Sequence, residues 1–316
     1  MMQLVRYMDM ALTKPRSGAL QAPQHGSLCY APSGKLRIAD TSTRWSRRLQ
    51  TAVPWVQIIN LAVVLWTTNL FAEPRTEDVL FRANCDRTEQ KYVIVFPDGF
   101  SADKPRAALI ALHGHGSDRW QFVKDTRGEC RAARDVAAAH GMLFVSPDYR
   151  AKTSWMGPKA EADIVQIIAE LKQRYRVSKI ILCGGSMGGT GALTFTALHP
   201  DLVEGVVSLN GTANLVEFPG FADALAASFG GTKAQVPDEY RRRSAECWPE
   251  RFTMPVAATT GGKDRVVPPD SVRRLLDAVK MKNANVLLIH RSEVGHSTNY
   301  EDSRAAIEFV VSKVLK

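Results

Sequence analysis

Seven short, nearly continuous apolar runs alternate with segments whose apolar residues recur at helical spacing, and this alternation leaves few architectures open. The runs are Lys91–Phe96, Ala107–Leu112, Leu143–Ser146, Lys179–Cys183, Val206–Leu209, Pro255–Thr259 and Val286–His290. Between and after them the spacing predicts helices over Trp120–His140, Ala160–Tyr175, Met187–His199, Ser271–Lys280 and Tyr300–Val314. In the second of these Ile164, Ile167, Ile168 and Leu171 share one face. Strands that are apolar throughout, rather than at every second position, are buried on both faces of a mostly parallel sheet. The expectation is therefore an α/β fold, a doubly wound sheet with ligands at the carboxyl ends of its strands. Residues 211–250 interrupt the rhythm and are expected to form a small insert over that edge.

Composition excludes several classes. The chain has 316 residues, 45% hydrophobic and 23% charged, which suits a globular core and not a disordered, collagen-like or polytopic membrane chain. Its net charge of +9 is concentrated at the front, where residues 1–72 carry eight bases against Asp9 and Asp40. The remainder is nearly balanced, so no nucleic-acid partner is expected. Its one basic run, Arg241-Arg242-Arg243, reads as a solvated helix face.

Residues 1–50 lack a hydrophobic period and read as a poorly structured basic extension. An apolar stretch follows from Val53 to Phe71, densest over Ile58–Trp66. It is shorter than the roughly 20 apolar residues of a membrane span, but it fits a signal core preceding Ala72. Residues 51–72 thus form an expected signal peptide or anchor, and residues 53–71 would supply the membrane contact if retained. Export to the periplasm or beyond follows, with residues 73–316 as the functional domain. Cys85, Cys130, Cys183 and Cys247 would then lie in an oxidising compartment. Cys183 reads as a buried thiol, and pairing among the other three stays open. No spacing of His and Cys points to a metal site.

The chemistry is concentrated between the fourth strand and the next helix, in Gly184-Gly185-Ser186-Met187-Gly188-Gly189. Here G-x-S-x-G places glycine two residues either side of the serine, where a side chain would collide across a tight turn. That turn lifts the Ser186 hydroxyl above the sheet. A dinucleotide fingerprint fails because Ser186 stands where its second glycine belongs, and no Gly-Lys-Ser/Thr follows for a P-loop.

A serine hydroxyl needs a base and a carboxylate that orients it. Asp264 follows the strand Pro255–Thr259, and His296 follows Val286–His290, so all three residues fall at strand carboxyl ends. Asp270 and Glu293 compete for the role of Asp264, but Glu293 is too near His296 in sequence to orient it easily. After the second strand, His113-Gly114-His115-Gly116 offers backbone amides to an oxyanion. The expected donors are the amides of His115 and Met187. His113 reads as an organiser of this loop, and His140, His199 and His290 as packing residues.

On these motifs, residues from about 90 to 316 resemble the α/β-hydrolase superfamily. They are most similar to the catalytic domain of the prolyl oligopeptidase family and its stand-alone esterase relatives. Phe229-Gly230-Gly231-Thr232, Tyr240 to Ser244, Gly262-Lys263-Asp264 to Pro269 and Gly295-His296-Ser297 carry the narrower resemblance. It implies a serine hydrolase acting on a small ester or short peptide without metal or organic cofactor. Only about twenty residues separate the signal from the first strand, leaving no room for the β-propeller of that family's peptidases. Ester hydrolysis is therefore the first expectation, peptide cleavage the second, and a silent binding domain the third.

Overall fold

The computed structural model describes residues 74–316. The expected extension at 1–50, the signal or anchor at 51–72 and its membrane contact at 53–71 lie outside the described residues. In chain order the strands are β1 (Thr76–Arg82), β2 (Glu89–Val95), β3 (Arg106–Leu112), β4 (Leu143–Pro147), β5 (Val177–Gly185), β6 (Gly205–Leu209), β7 (Val256–Gly261) and β8 (Val286–Arg291). The helices are α1 (Gln121–Lys124), α2 (Gly128–Ala139), α3 (Pro158–Tyr175), α4 (Met187–Leu198), α5 (Ala222–Phe229), α6 (Pro237–Arg242), α7 (Asp270–Lys280) and α8 (Tyr300–Val314). The strands form one sheet in the order β1-β2-β4-β3-β5-β6-β7-β8.

From β4 onward all neighbours are parallel, while β2 joins β4, and β1 joins β2, in antiparallel register. Both faces of the central strands are covered. Along β3, Ala108, Ile110 and Leu112 belong to the core layer that also holds residues of α3, α4 and α7, whereas Ala107, Leu109 and Ala111 belong to the one that holds residues of α2 and α8. Burying each leucine or isoleucine among them stabilises by about 1.5–3 kcal/mol, which fixes the register of the strand. Among the described residues no helix is long and apolar enough to cross a membrane.

Three features depart from expectation. First, β1 was not visible as a strand: Thr76-Glu77-Asp78-Val79-Leu80-Phe81-Arg82 is charged and mostly exposed. An edge strand tolerates this because its backbone pairing with β2 supplies the order. Second, the single helix expected over Trp120–His140 is broken at Asp125-Thr126-Arg127. The Asp125 side chain accepts the Arg127 amide at 2.9 Å, and Gly128 then lies against the first residue of α8, where a Cβ would meet the Tyr300 amide nitrogen at 2.5 Å. Third, Arg243 is not on a solvated face but fully buried.

Arg243 donates to Glu161 on α3 at 2.6 Å, to Glu239 at 2.5 Å and to the Met156 carbonyl at 2.6 Å. Arg242 and His199 share the same Glu161 carboxylate, each at 2.9 Å. Burial pushes the Glu161 carboxyl up, but His199, Arg243 and Arg242 together outweigh it and bring it down to about 2 from its ordinary 4.5. A carboxyl lowered on folding contributes stability above its unfolded value and loses it as pH falls through the folded one. Glu161→Gln is thus expected to destabilise the protein by about 3 kcal/mol at neutral pH, since it leaves a buried guanidinium undercompensated. The gap from wild type should close as pH falls from about 4.5 to about 2. Denaturant unfolding of both proteins across that range checks it, and a gap independent of pH would refute it.

All four described cysteines are free thiols. Cys130 and Cys183 are buried in the layer between the sheet and α2–α8, and burial pushes both thiols up. Cys85 is exposed and Cys247 half-buried.

Candidate active site

β5 ends in a turn so tight that Ser186 takes φ 58°, ψ −117° before α4 begins at Met187. A Cβ on Gly184 would strike the Gly188 carbonyl group, and one on Gly188 would strike the Leu112 carbonyl oxygen. Glycine at both positions is what lets the strand-to-helix turn close against β3. The Ser186 amide donates to the Leu209 carbonyl at 2.8 Å, which ties this strained residue to the end of β6.

His296, on the loop after β8, brings Nε2 to 2.9 Å from Ser186 Oγ. Its Nδ1 lies 2.7 Å from Asp264 Oδ2, on the loop after β7. The other oxygen of Asp264 accepts the amides of Val266 and Val267 at 2.9 and 2.8 Å. Asp264 is buried, and the imidazole keeps one edge open to a cleft of about 480 Å³. A hydroxyl–imidazole–carboxylate chain with these distances is able to carry a proton off oxygen and hold the resulting imidazolium. Neither rival acid is close. Glu293 is exposed and paired with Lys263, and Asp270 starts α7 beside Arg273.

The loop after β3 is held from three sides. His113 is buried, its ring nitrogens 2.9 Å from the Gly114 carbonyl oxygen and 3.2 Å from that of Asp148; burial lowers its pKa. The Tyr149 hydroxyl donates to the His113 carbonyl at 2.6 Å. Gln121 accepts the Gly114 amide at 2.7 Å, and Gly116, at φ 83°, donates to the Lys152 carbonyl at 2.7 Å. The amides of His115 and Met187 make no hydrogen bond to another group among the described residues.

The side chain of His115 also has a defined state. Trp155 Nε1 donates to its Nδ1 at 3.0 Å. An indole N–H only donates, so Nδ1 must be unprotonated and the ring carries its hydrogen on Nε2. Burial lowers the His115 pKa in the same sense. Trp155 sits in a left-handed turn with Met156, at φ 44° and 57°, and Arg243 holds that turn through the Met156 carbonyl. Phe218 and Phe221, from the insert, pack on Trp155 with ring centroids 5.5 and 5.0 Å away.

Besides Ser186 and His296, the cleft is lined by Gln121, Phe122, Arg127, Glu129, His115, Phe221, Asn210 and Val266. Sequence reasoning missed most of these. The position of Asn210, one residue past β6, was a usable signal, because ligands gather at strand ends. Nothing in the sequence pointed to Arg127 or Glu129, which reach the cleft only because the first helical segment breaks. His140 pairs with Glu308 at 2.8 Å and His290 with Thr260 at 2.9 Å, both away from the cleft. Among the described residues no group of His, Cys, Asp and Glu is placed to hold a metal ion.

Residues 136–312, which include Ser186, Asp264 and His296, match the prolyl oligopeptidase family. The chain belongs to that family. That family is one of serine hydrolases, and the sheet order of this chain is that of the α/β-hydrolases. Puromycin hydrolase superposes with a TM-score of 0.60 at 20% identity, over 77% of this chain and 39% of its own. An S-formylglutathione hydrolase from Agrobacterium tumefaciens superposes at 0.60 and 16%, over 78% and 98%. A fluorophosphonate-binding serine hydrolase of Staphylococcus aureus gives 0.60 and 16%, over 78% and 100%. At these identities the likeness is one of fold. The chain spans only about two fifths of the length of puromycin hydrolase. No curated protein matches its sequence.

Proposed function

We propose that the protein hydrolyses carboxylic esters of small molecules through an acyl-enzyme on Ser186. The observation that carries this reading is the unbroken chain from Asp264 through His296 to Ser186, at 2.7 and 2.9 Å. His296 takes the Ser186 proton as Oγ attacks the ester carbonyl, and Asp264 keeps the imidazole in the required tautomer. The amides of His115 and Met187 receive the oxyanion, each such donor contributing about 3 kcal/mol to the transition state. His296 then protonates the leaving alcohol, and water repeats the sequence on the acyl-enzyme.

Ester rather than peptide cleavage is supported by where the acidic groups lie. A peptide amino terminus calls for an unengaged carboxylate in the cleft. Within the insert, none of Glu217, Asp223, Asp238, Glu239, Glu246 and Glu250 lines the cleft; Glu217 and Glu246 are spent on Arg274, and Glu239 on Arg242 and Arg243. Glu129 does line the cleft, but it faces Arg127 at 3.4 Å. Peptide or amide hydrolysis is the second reading, favoured by the family match itself.

Matched 4-nitrophenyl esters and aminoacyl 4-nitroanilides separate the two. The ester reading expects kcat/KM for short-chain esters to exceed that for the anilides by at least about a thousandfold, or some 4 kcal/mol in the barrier. Comparable values, or anilides ahead, would transfer the assignment to peptide bonds. A folded protein that a fluorophosphonate fails to label at Ser186 would instead be a silent binding domain.

A further inference from the structure

Residues 148–156, on the connection from β4 to α3, do not line the cleft, yet they grip the proposed oxyanion loop at successive points. The Tyr149 hydroxyl donates to the His113 carbonyl at 2.6 Å, and its ring packs on the His113 imidazole with centroids 4.5 Å apart. The Asp148 carbonyl oxygen faces Nε2 of that imidazole at 3.2 Å. Trp155 Nε1 donates to His115 Nδ1 at 3.0 Å, and the Lys152 carbonyl accepts the Gly116 amide at 2.7 Å. These contacts set the direction of the His115 amide. That amide shares one planar peptide unit with the Gly114 carbonyl, which lies 2.9 Å from His113 Nδ1. Holding the His113 ring therefore holds the plane in which the His115 N–H points.

The gripping segment is strained and tied down on its far side. Tyr149, Arg150, Trp155 and Met156 take φ of 30°, 88°, 44° and 57°, four of the nine non-glycine residues at positive φ among the described residues. Such strain persists only where the surroundings over-determine it, and it gathers at functional sites. Here Arg150 donates to Asp163 on α3 at 2.7 Å and to Asp86 at 3.0 Å. Asp148 accepts the Arg119 amide at 2.9 Å, and Arg243 holds the Met156 carbonyl at 2.6 Å. Tyr149 and Trp155 are both buried, so each bond they make to the loop is shielded from water. We infer that residues 148–156 brace the oxyanion loop, with Tyr149 and Trp155 as positioning residues that aim the His115 amide. Neither side chain touches the substrate. The inference rests on the oxyanion donors proposed above and names the residues that orient one of them. Their effect belongs to the transition state, where charge develops on the carbonyl oxygen, and not to binding of the substrate.

Tyr149→Phe tests this, since it keeps the ring on His113 and removes only the hydroxyl. Its acylation rate constant with a 4-nitrophenyl ester, measured before the steady state, is expected to fall by about tenfold to hundredfold. That is the scale of a misdirected donor and is smaller than the loss of one outright. The substrate dissociation constant should stay within about twofold of wild type, as expected for uniform ground-state binding. Affinity for an alkyl trifluoromethyl ketone should weaken by the same factor as the rate. In that adduct Ser186 Oγ bonds to the ketone carbon, its proton passes to His296, and the carbonyl electron pair becomes an oxyanion facing the same amides. Trp155→Phe, which deletes the indole N–H, should act in the same direction and replaces the first variant if that one does not fold. Tyr92→Phe is the control. Tyr92 is equally buried, and its hydroxyl donates to Glu170 at 3.1 Å, away from the cleft. Losing that bond should lower the melting temperature while rate and ketone affinity stay within about twofold.

A folded Tyr149→Phe protein that acylates within about twofold of wild type overturns the inference and leaves the ester reading intact. So does a slower rate without the matching loss of ketone affinity, or an equal loss in Tyr92→Phe, because either would mark a general loosening of the fold. If the wild-type protein cleaves anilides in place of esters, the ester reading falls while the same measurements on an anilide still test the brace, since both reactions pass through an oxyanion. A wild-type protein that neither acylates nor binds the ketone overturns the reaction itself, and the inference falls with it.

Discussion

Ser186→Ala is expected to lower ester turnover by about a millionfold while the protein stays folded. Removing Oγ removes the one hydroxyl that, among the described residues, is hydrogen-bonded to His296 Nε2. What remains is the proposed oxyanion loop and the cleft, which would accelerate hydrolysis by water only modestly. The fold should tolerate the change, because the backbone at 186 is shaped by Gly184, Gly188 and the bond to Leu209 rather than by the side chain. Steady-state rates with a 4-nitrophenyl ester, fluorophosphonate labelling and a melting curve together check it. Turnover within tenfold of wild type would remove Ser186 from its role.

Asp264→Asn should be nearly as damaging, at about ten-thousandfold in kcat, and for a reason the local hydrogen bonds make explicit. Oδ1 of Asp264 accepts two backbone amides, those of Val266 and Val267. An asparagine there must keep its oxygen on those amides, so its NH2 is the end that turns to His296. An NH2 facing Nδ1 forces that nitrogen to accept and moves the imidazole hydrogen to Nε2, opposite Ser186 Oγ. The base is then in the tautomer that cannot take a proton from serine. The side chain is nearly isosteric, so stability should change little compared with activity. Pre-steady-state acylation rates near neutral pH measure the effect, and a loss of less than tenfold would mean that Asp264 does not orient His296.

Both arguments use residues picked out by sequence alone, and the reason is the locality of their signals. The glycines around Ser186 are demanded by a collision two residues away, which any G-x-S-x-G at a strand end would suffer. The placement of Asp264 and His296 follows from a topological rule, that loops after parallel strands gather on one edge of the sheet. Seven of the eight strands and helices α3, α4, α7 and α8 were equally visible, because burial leaves continuous apolar runs in the strands and a one-faced apolar spacing in the helices, whereas α5 and α6 of the insert were not.

The rest depended on partners far along the chain. Nothing near Arg241-Arg242-Arg243 announces that the third arginine will be buried against Glu161, some eighty residues earlier. The protonation state of His115 is set by Trp155, forty residues later, and the hold on the His113 carbonyl by Tyr149, thirty-six later. β1 carries too few apolar residues to be seen without β2 beside it, and the break before Gly128 exists because α8 packs there. Periodicity and glycine spacing therefore determined seven of the eight strands, the four long helices α3, α4, α7 and α8, and the three residues proposed for proton transfer. Which polar groups line the cleft, which are neutralised and which hold the loop after β3 was decided only when the packed layers brought distant side chains together, since a hydrogen bond is specified by position in space and not by separation in sequence.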